Sequence, residues 1–275
     1  MYMPLESKVA IVTGAAQSIG REVARLMAAR GATVVVADVD GEGAERSAET
    51  IRAEGGKASA ISFDLTNEDA IAEAVRTIVG EHGGIDIVHN NAAIQSEAQR
   101  AKDLDVVRLD TAAWDLAMAV NARGPMLLCK HAIPHMIARG GGSIIHSASG
   151  FGLLGETTLT SYGASKAALI NLSRFIATQY GKQGIRSNAI AIGFVLTDTA
   201  IATTPQAVKD ILLSHHLNPE FGGPRDIANV VAFLASDEAK FINGAMIPVD
   251  GGFTAHQASM VDFERLFAAA GSNQL

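Results

Sequence analysis

The sequence predicts an α/β fold: a single Rossmann-type, doubly wound parallel sheet of about seven strands with helices on both faces. Three observations carry that expectation. Short β-branched runs alternate with longer helical patterns along 275 residues. The strands read as nearly continuous apolar runs, Val34-Val35-Val36 most clearly, as expected where helices cover both faces. A turn of small residues, Gly14 to Gly20, joins the first strand to the first helix.

In order, residues 9–13 read as strand, 19–29 as helix, 33–37 as strand and 42–53 as helix. The alternation continues with strand 58–63, helix 68–79, strand 85–89 and a long helix over 114–137. Strand 143–147, helix 162–180, strand 187–192, helix 227–235 and strand 246–249 complete it. Right-handed crossovers line up the strand C-terminal ends along one edge, where such sheets bind ligands, so chemistry is sought just after each apolar run. Nothing marks an internal boundary, which favours one catalytic domain over 1–252 with a tail over 253–275.

Composition narrows the function. Hydrophobic residues make up 48% and the formal net charge is −7, with scattered basic residues, which argues against nucleic acid and anionic membranes as partners. Cys129 is the only cysteine, so neither an intrachain disulfide nor a thiolate metal cluster forms. The polar first residues and the short apolar run behind them lead us to expect a cytoplasmic location. His131 and His135 share a helical face without a glutamate or third ligand, so no metal is expected. His215 and His216 point apart on a helix and are expected to be solvated.

Tyr162 and Lys166 stand four apart in Ser-Tyr-Gly-Ala-Ser-Lys, on one helical face. An ammonium there favours the ionised phenol, bringing it towards use as a general acid or base. The turn Thr13-Gly14-Ala15-Ala16-Gln17-Ser18-Ile19-Gly20 opens a helix whose unpaired N–H groups suit a pyrophosphate. Asp38, ending the second strand, suits a ribose 2′-hydroxyl and would repel a 2′-phosphate; neither Val39 nor Gln17 supplies a compensating cation. NAD is therefore expected over NADP.

The turn resembles the Thr-Gly-x3-Gly-x-Gly element of the short-chain dehydrogenase/reductase family, with Ser18 where the middle glycine usually stands. Asp64-Leu65 resembles that family's adenine-contacting segment, and Asn90-Asn91-Ala92-Ala93 its Asn-Asn-Ala-Gly element with Ala93 for the glycine. Ser149 precedes Tyr162 by the family's interval, with Ser147 as the competing assignment; Asn121 lies in an Asn-x-x-Gly that bends its helix. Asn188 to Thr197 resembles the segment carrying a Pro-Gly turn, Ile192 replacing the proline, and Val249-Asp250-Gly251-Gly252 resembles the closing motif. The resemblance spans about residues 5–252.

It implies catalysis by Ser149, Tyr162, Lys166 and Asn121, with a proton path from substrate oxygen through Tyr162 and Lys166 to water. It assigns cofactor contacts to Gly14, Gln17, Ser18, Ile19, Gly20, Asp38, Asp64, Leu65, Asn91, Ala92, Ala93, Tyr162, Lys166, Gly193, Val195 and Thr197. It also implies a homotetramer or homodimer, and a substrate lid over 194–223. Phe194, Leu212 and Leu217 of the lid and Phe151, Leu153 and Leu154 opposite are the expected pocket lining. Lys209 is the only Lys or Arg of the lid, which suggests a neutral, fairly apolar secondary alcohol or ketone. The alternative is an NAD(H)-binding sensor or scaffold without turnover, favoured by Ser18 and Ile192; a sugar-nucleotide epimerase ranks third, since it needs a larger C-terminal domain.

Overall fold

The computed structural model describes residues 3–269. Seven strands form one parallel sheet in the order β3-β2-β1-β4-β5-β6-β7. They are β1 (Val9–Thr13), β2 (Thr33–Asp38), β3 (Lys57–Ser62), β4 (Ile87–Asn90), β5 (Gly142–Ser149), β6 (Ile185–Ile192) and β7 (Met246–Val249). The helices α1 (Ser18–Ala29), α2 (Gly41–Ala53) and α3 (Glu68–His82) make the first crossovers. Between β4 and β5 lie α4 (Glu97–Arg100), α5 (Thr111–Met118), a π-helical turn (Ala119–Arg123) and α6 (Gly124–Ala138). Then follow α7 (Thr160–Tyr180), α8 (Asp198–Thr203), α9 (Gln206–Ser214), α10 (Pro224–Ala235) and α11 (Met260–Ala269).

The two-residue period of a strand sends alternate side chains to opposite faces, and both are buried here. Val34 and Val36 pack with Val23 and Met27 of α1 and with Ile227 and Val231 of α10. Val35, between them, faces the other way, into a core shared by Ile71, Val75, Leu128 and Met136. The chain reverses direction across the sheet between β1 and β4, so their C-terminal ends part and open a crevice.

The expected long helix over 114–137 is instead two α-helices joined by the π turn. Asn121 at its centre is fully buried and turns its side chain outwards from the ladder: its Oδ1 accepts from Ile94 N (2.8 Å), and its Nδ2 donates to Ser165 Oγ (3.1 Å). Those tertiary bonds offset the loss of regular α-helical pairing. Gly124 follows because a β-carbon there would stand 2.8 Å from Leu65 Cβ.

Candidate active site

The crevice at the strand C-terminal ends is a cleft of about 1330 Å³. Its first wall is the β1–α1 turn. Gly14 adopts φ +64, and a β-carbon on it would meet Ala92 Cα at 2.7 Å. A β-carbon on Gly20 would meet Asn91 Nδ2 at 2.7 Å. Asn91 is itself held there, donating to the carbonyls of Thr13 (3.0 Å) and Gly14 (3.1 Å). The absent side chains let the turn close against Ala92 and Asn91, and Gly14 and residues 17–20 line the cleft, which sets the N-terminus of α1 against it as a cradle for an anion. Ser18 takes the left-handed φ (+56) that its glycine counterpart adopts freely, at a cost of about 1–2 kcal/mol. Its hydroxyl does not cap α1, whose N-cap is Gln17.

Asp38 lines the same cleft at the end of β2. Its Oδ2 accepts from Ala16 N (3.0 Å) and its Oδ1 from Asp40 N (3.1 Å), so the carboxylate is fixed to the turn it faces. The cap of α2 is Asp40, which accepts from Gly43 N. Asp64, Leu65, Ala92, Ala93, Gly193, Val195 and Thr197 also line the cleft. Ile192, in the place of a turn proline, ends β6 in register with Val249, and Gly193 N then bonds the Val249 carbonyl (3.1 Å). Backbone pairing holds the loop that a proline would otherwise stiffen.

Ser149 ends β5, and Tyr162 and Lys166 face it from α7; all three line the cleft. Lys166 is buried, and its Nζ donates to the Ser147 carbonyl (2.6 Å) while lying 5.5 Å from the Tyr162 ring centroid. Burial pulls the ammonium down to about 8. Burial likewise pushes the Tyr162 phenol up, with the Ser149 hydroxyl and the more distant Arg100 acting the other way. Lys166, expected to favour the ionised phenol beside a positive nicotinamide, is here committed to a backbone carbonyl, and burial dominates the phenol. Asn121 does not line the cleft; it ties α7, through Ser165, to the loop after β4.

The start of α7 depends on a residue that local sequence did not single out. Leu159, its N-cap, has φ +61 and offers no capping side chain. The carboxylate of buried Asp103 caps the helix instead, accepting from Ser161 N (2.8 Å) and Tyr162 N (3.0 Å). Asp103 sits 59 residues before Tyr162, so no spacing rule could reveal it.

The expected substrate lining is largely corrected. Phe194 lines the cleft, but Phe151, Leu153, Leu154, Leu212 and Leu217 do not. The short 3₁₀ turn Gly150–Gly152 folds back onto α7, where Phe151 packs edge-on to the Tyr162 ring (6.2 Å). Leu217 is drawn to the 250–252 turn, its N–H bonding the Gly251 carbonyl (2.8 Å). The wall is formed instead by Thr199, Ala200, Thr203, Thr204 and Pro205 around α8, and by Ile94, Gln95, Glu97, Arg100, Leu116 and Val120. His216 is buried against Phe221 and Phe253, not solvated. The apolar stripe of the tail, Met260, Phe263, Leu266 and Phe267, lies on α11; Met260, Phe263 and Phe267 border a separate hollow of about 390 Å³. Residues 270–275 of that tail lie outside the described residues.

With this geometry in view, comparison with known proteins decides the family. A family model described as enoyl-(acyl carrier protein) reductase matches residues 14–254. A cis-4-hydroxycyclohexanecarboxylate dehydrogenase of Sinomonas cyclohexanicum is 39% identical over 90% of this chain and 97% of its own. The chain belongs to the short-chain dehydrogenase/reductase family. Among other relatives, a 7α-hydroxysteroid dehydrogenase of Bacteroides fragilis is 37% identical, covering 93% of this chain and 97% of its own. A gluconate 5-dehydrogenase from Burkholderia cenocepacia, solved with NADP and tartrate, superposes with a TM-score of 0.86. It is 30% identical, over 93% of this chain and 98% of its own. This chain is thus an oxidoreductase of a family that uses nicotinamide cofactors, and its relatives act on small alcohols and ketones. Among the described residues, no helix is long and apolar enough to cross a membrane.

Proposed function

We propose that this protein interconverts a secondary alcohol and its ketone, using NAD(H), with Tyr162 as general acid and base. The observation that carries the reading is the meeting of Ser149, Tyr162 and Lys166 on one wall of a cleft whose other end is the open turn at Gly14–Gly20. The turn and Asp38 would hold the dinucleotide, whose nicotinamide supplies the hydride acceptor or donor. Ser149 orients the substrate oxygen, and Tyr162 gives it a proton in reduction or takes one in oxidation. Lys166, held by the Ser147 carbonyl 5.5 Å from the Tyr162 ring centroid, would, together with the positive nicotinamide of the oxidised cofactor, oppose the desolvation that raises the phenol. Asn121 positions the helix that carries both. Ser18 and Ile192 gave the reading without turnover its support; the turn and the loop keep their shapes around them.

NAD is favoured because Lys166 and Arg100 are the only Lys or Arg among the lining residues, and neither belongs to the Asp38 end. A 2′-phosphate there would meet a carboxylate without a neutralising partner. For the substrate we propose an alcohol borne on a ring, in keeping with the hydroxycyclohexane and hydroxysteroid names of the relatives. The expectation of a neutral substrate rested on the lid alone, and Arg100 on the other wall removes that argument. Residues 1–252 act as one catalytic domain, with 194–223 as its lid and 253–275 as an added tail. A cytoplasmic homotetramer or homodimer completes the reading.

Turnover followed at 340 nm with NADH or NADPH and a panel of cyclic and open-chain secondary alcohols and ketones tests it. NAD-linked activity on ring alcohols is expected. A preference for NADPH would overturn the Asp38 argument, and activity confined to open-chain substrates the ring.

A further inference from the structure

We infer that Arg100 is the substrate anchor of this cleft, and that the physiological substrate carries a carboxylate on the far side of its ring from the reacting hydroxyl. The inference rests on the alcohol–ketone reading above and names the substrate class of that site. Arg100 lines the cleft from α4, opposite the lid. Lys166, the other cation of the lining, is buried beneath Tyr162 and bonded to a carbonyl, which leaves Arg100 as the exposed one among the described residues. Its guanidinium bonds the neutral Gln95 Oε1 (3.1 Å), and among the described residues no carboxylate stands within ion-pair distance of it. Arginines on protein surfaces commonly find such partners, as Arg25, Arg52, Arg76 and Arg108 do here.

Arg100 is also rigidly placed with respect to the catalytic helix. Gln99, immediately before it, is buried and donates to the Ala113 carbonyl (2.7 Å). Asp103, three residues after it, grips the backbone N–H of Tyr162 itself. The segment therefore places the backbone of Arg100 relative to that of Tyr162, and Gln95 Oε1 holds the guanidinium itself. A fixed cation at one end and a proton donor at the other measure a molecule with an anion and a carbinol at set spacing. Glu97 lines the same wall with no hydrogen bond to hold its carboxylate among the described residues, and so does not fix a ligand as Arg100 does.

The test compares 3- and 4-hydroxycyclohexanecarboxylate with their uncharged methyl esters, in wild type, Arg100→Gln and Arg100→Lys, with NADH affinity measured by fluorescence. The wild type should prefer one acid over its ester by about 10- to 100-fold in kcat/KM, mainly through KM. Arg100→Gln should erase that preference by lowering kcat/KM for the acid about tenfold or more beyond any loss for the ester, through the loss of a charged partner, with NADH affinity unchanged, and Arg100→Lys should restore part of the preference. Equal use of acid and ester by the wild type overturns the proposal, as does an equal loss for both in Arg100→Gln. Weakened NADH binding in the variant would assign Arg100 to the cofactor and overturn it too. If no compound turns over, the function reading fails, and calorimetric titration of the acids into the NADH complex decides separately. Binding lost in Arg100→Gln upholds the anchor, and binding unchanged or absent in the wild type refutes it.

Discussion

At the scale of single residues, the cleft depends on what side chains are missing as much as on those present. Gly20 leaves room for Asn91 Nδ2, which would stand 2.7 Å from any β-carbon there. Gly20→Ala should therefore cost about 2 kcal/mol in urea-measured stability and weaken NADH binding, because its β-carbon would also clash with the Gly14 carbonyl oxygen and the turn itself must open. Asp38 acts by charge. Replacing Asp38 with Ser and Val39 with Arg should shift the NADPH-to-NADH ratio of kcat/KM upwards by about a hundredfold, since a repelled phosphate would gain a charged partner. An unchanged ratio would show that the adenosine ribose does not lie against Asp38. Both residues were legible in the sequence, because a glycine turn after a first strand and an acid after a second are local signals. Arg100 was not: its place in the cleft follows from the bonds of Gln99 and Asp103, which join residues far apart in the chain.

Among the elements, α7 is the one on which the chemistry turns. It presents Tyr162 and Lys166 on one face, and its first turn is capped by Asp103 instead of by its own N-cap. Asp103→Ala should lower stability by about 3 kcal/mol in chemical denaturation, since two N–H groups, that of Ser161 buried and that of Tyr162 partly so, lose a charged acceptor. Its kcat should fall more than its KM for NADH rises, because Tyr162 is the residue loosened. A variant with wild-type kcat would show that the cap is structural only. The sequence placed α7 correctly and flagged Asn121 as the site of a bend in the preceding helix, yet it gave no hint of a π turn. That turn exists because Ile94 N and Ser165 Oγ satisfy the Asn121 amide, and both partners are brought there by the fold. Leu212 and Leu217 missed the cleft for the related reason that the apolar residues of 194–223 had two surfaces to choose between, the cleft and the 250–252 turn. Leu217 took the second.

Across the whole molecule, the sheet buries two histidines beneath the site. His89 Nε2 lies 2.9 Å from Ser147 Oγ, and His146 bridges Asn90 Nδ2 (3.2 Å) and Ser187 Oγ (3.3 Å). Desolvation above all, with the Lys166 charge adding to it, pulls each of them down to about 3. The folded state thus keeps both neutral where the unfolded chain protonates them. Their contribution is fully present above about pH 6.5 and is lost as pH falls from there towards 3, at about 1.4 kcal/mol per histidine per pH unit. Urea midpoints measured from pH 7.5 to 4.5 should fall with that slope, and His146→Gln should reduce it; a flat profile would show the histidines protonated in place. The parallel order of the strands was foreseeable from alternation and crossover handedness, whereas these buried polar pairs depend on register between β4, β5 and β6.

The measurement that bears most directly on the central claim is turnover by Tyr162→Phe beside wild type, with NADH binding recorded on the same samples. The geometry predicts a kcat about 10²- to 10⁴-fold lower and an unaltered NADH affinity, since the substitution removes only the hydroxyl that exchanges the proton. Turnover within a few-fold of wild type would contradict the assignment of Tyr162 and, with it, the mechanism built on this cleft.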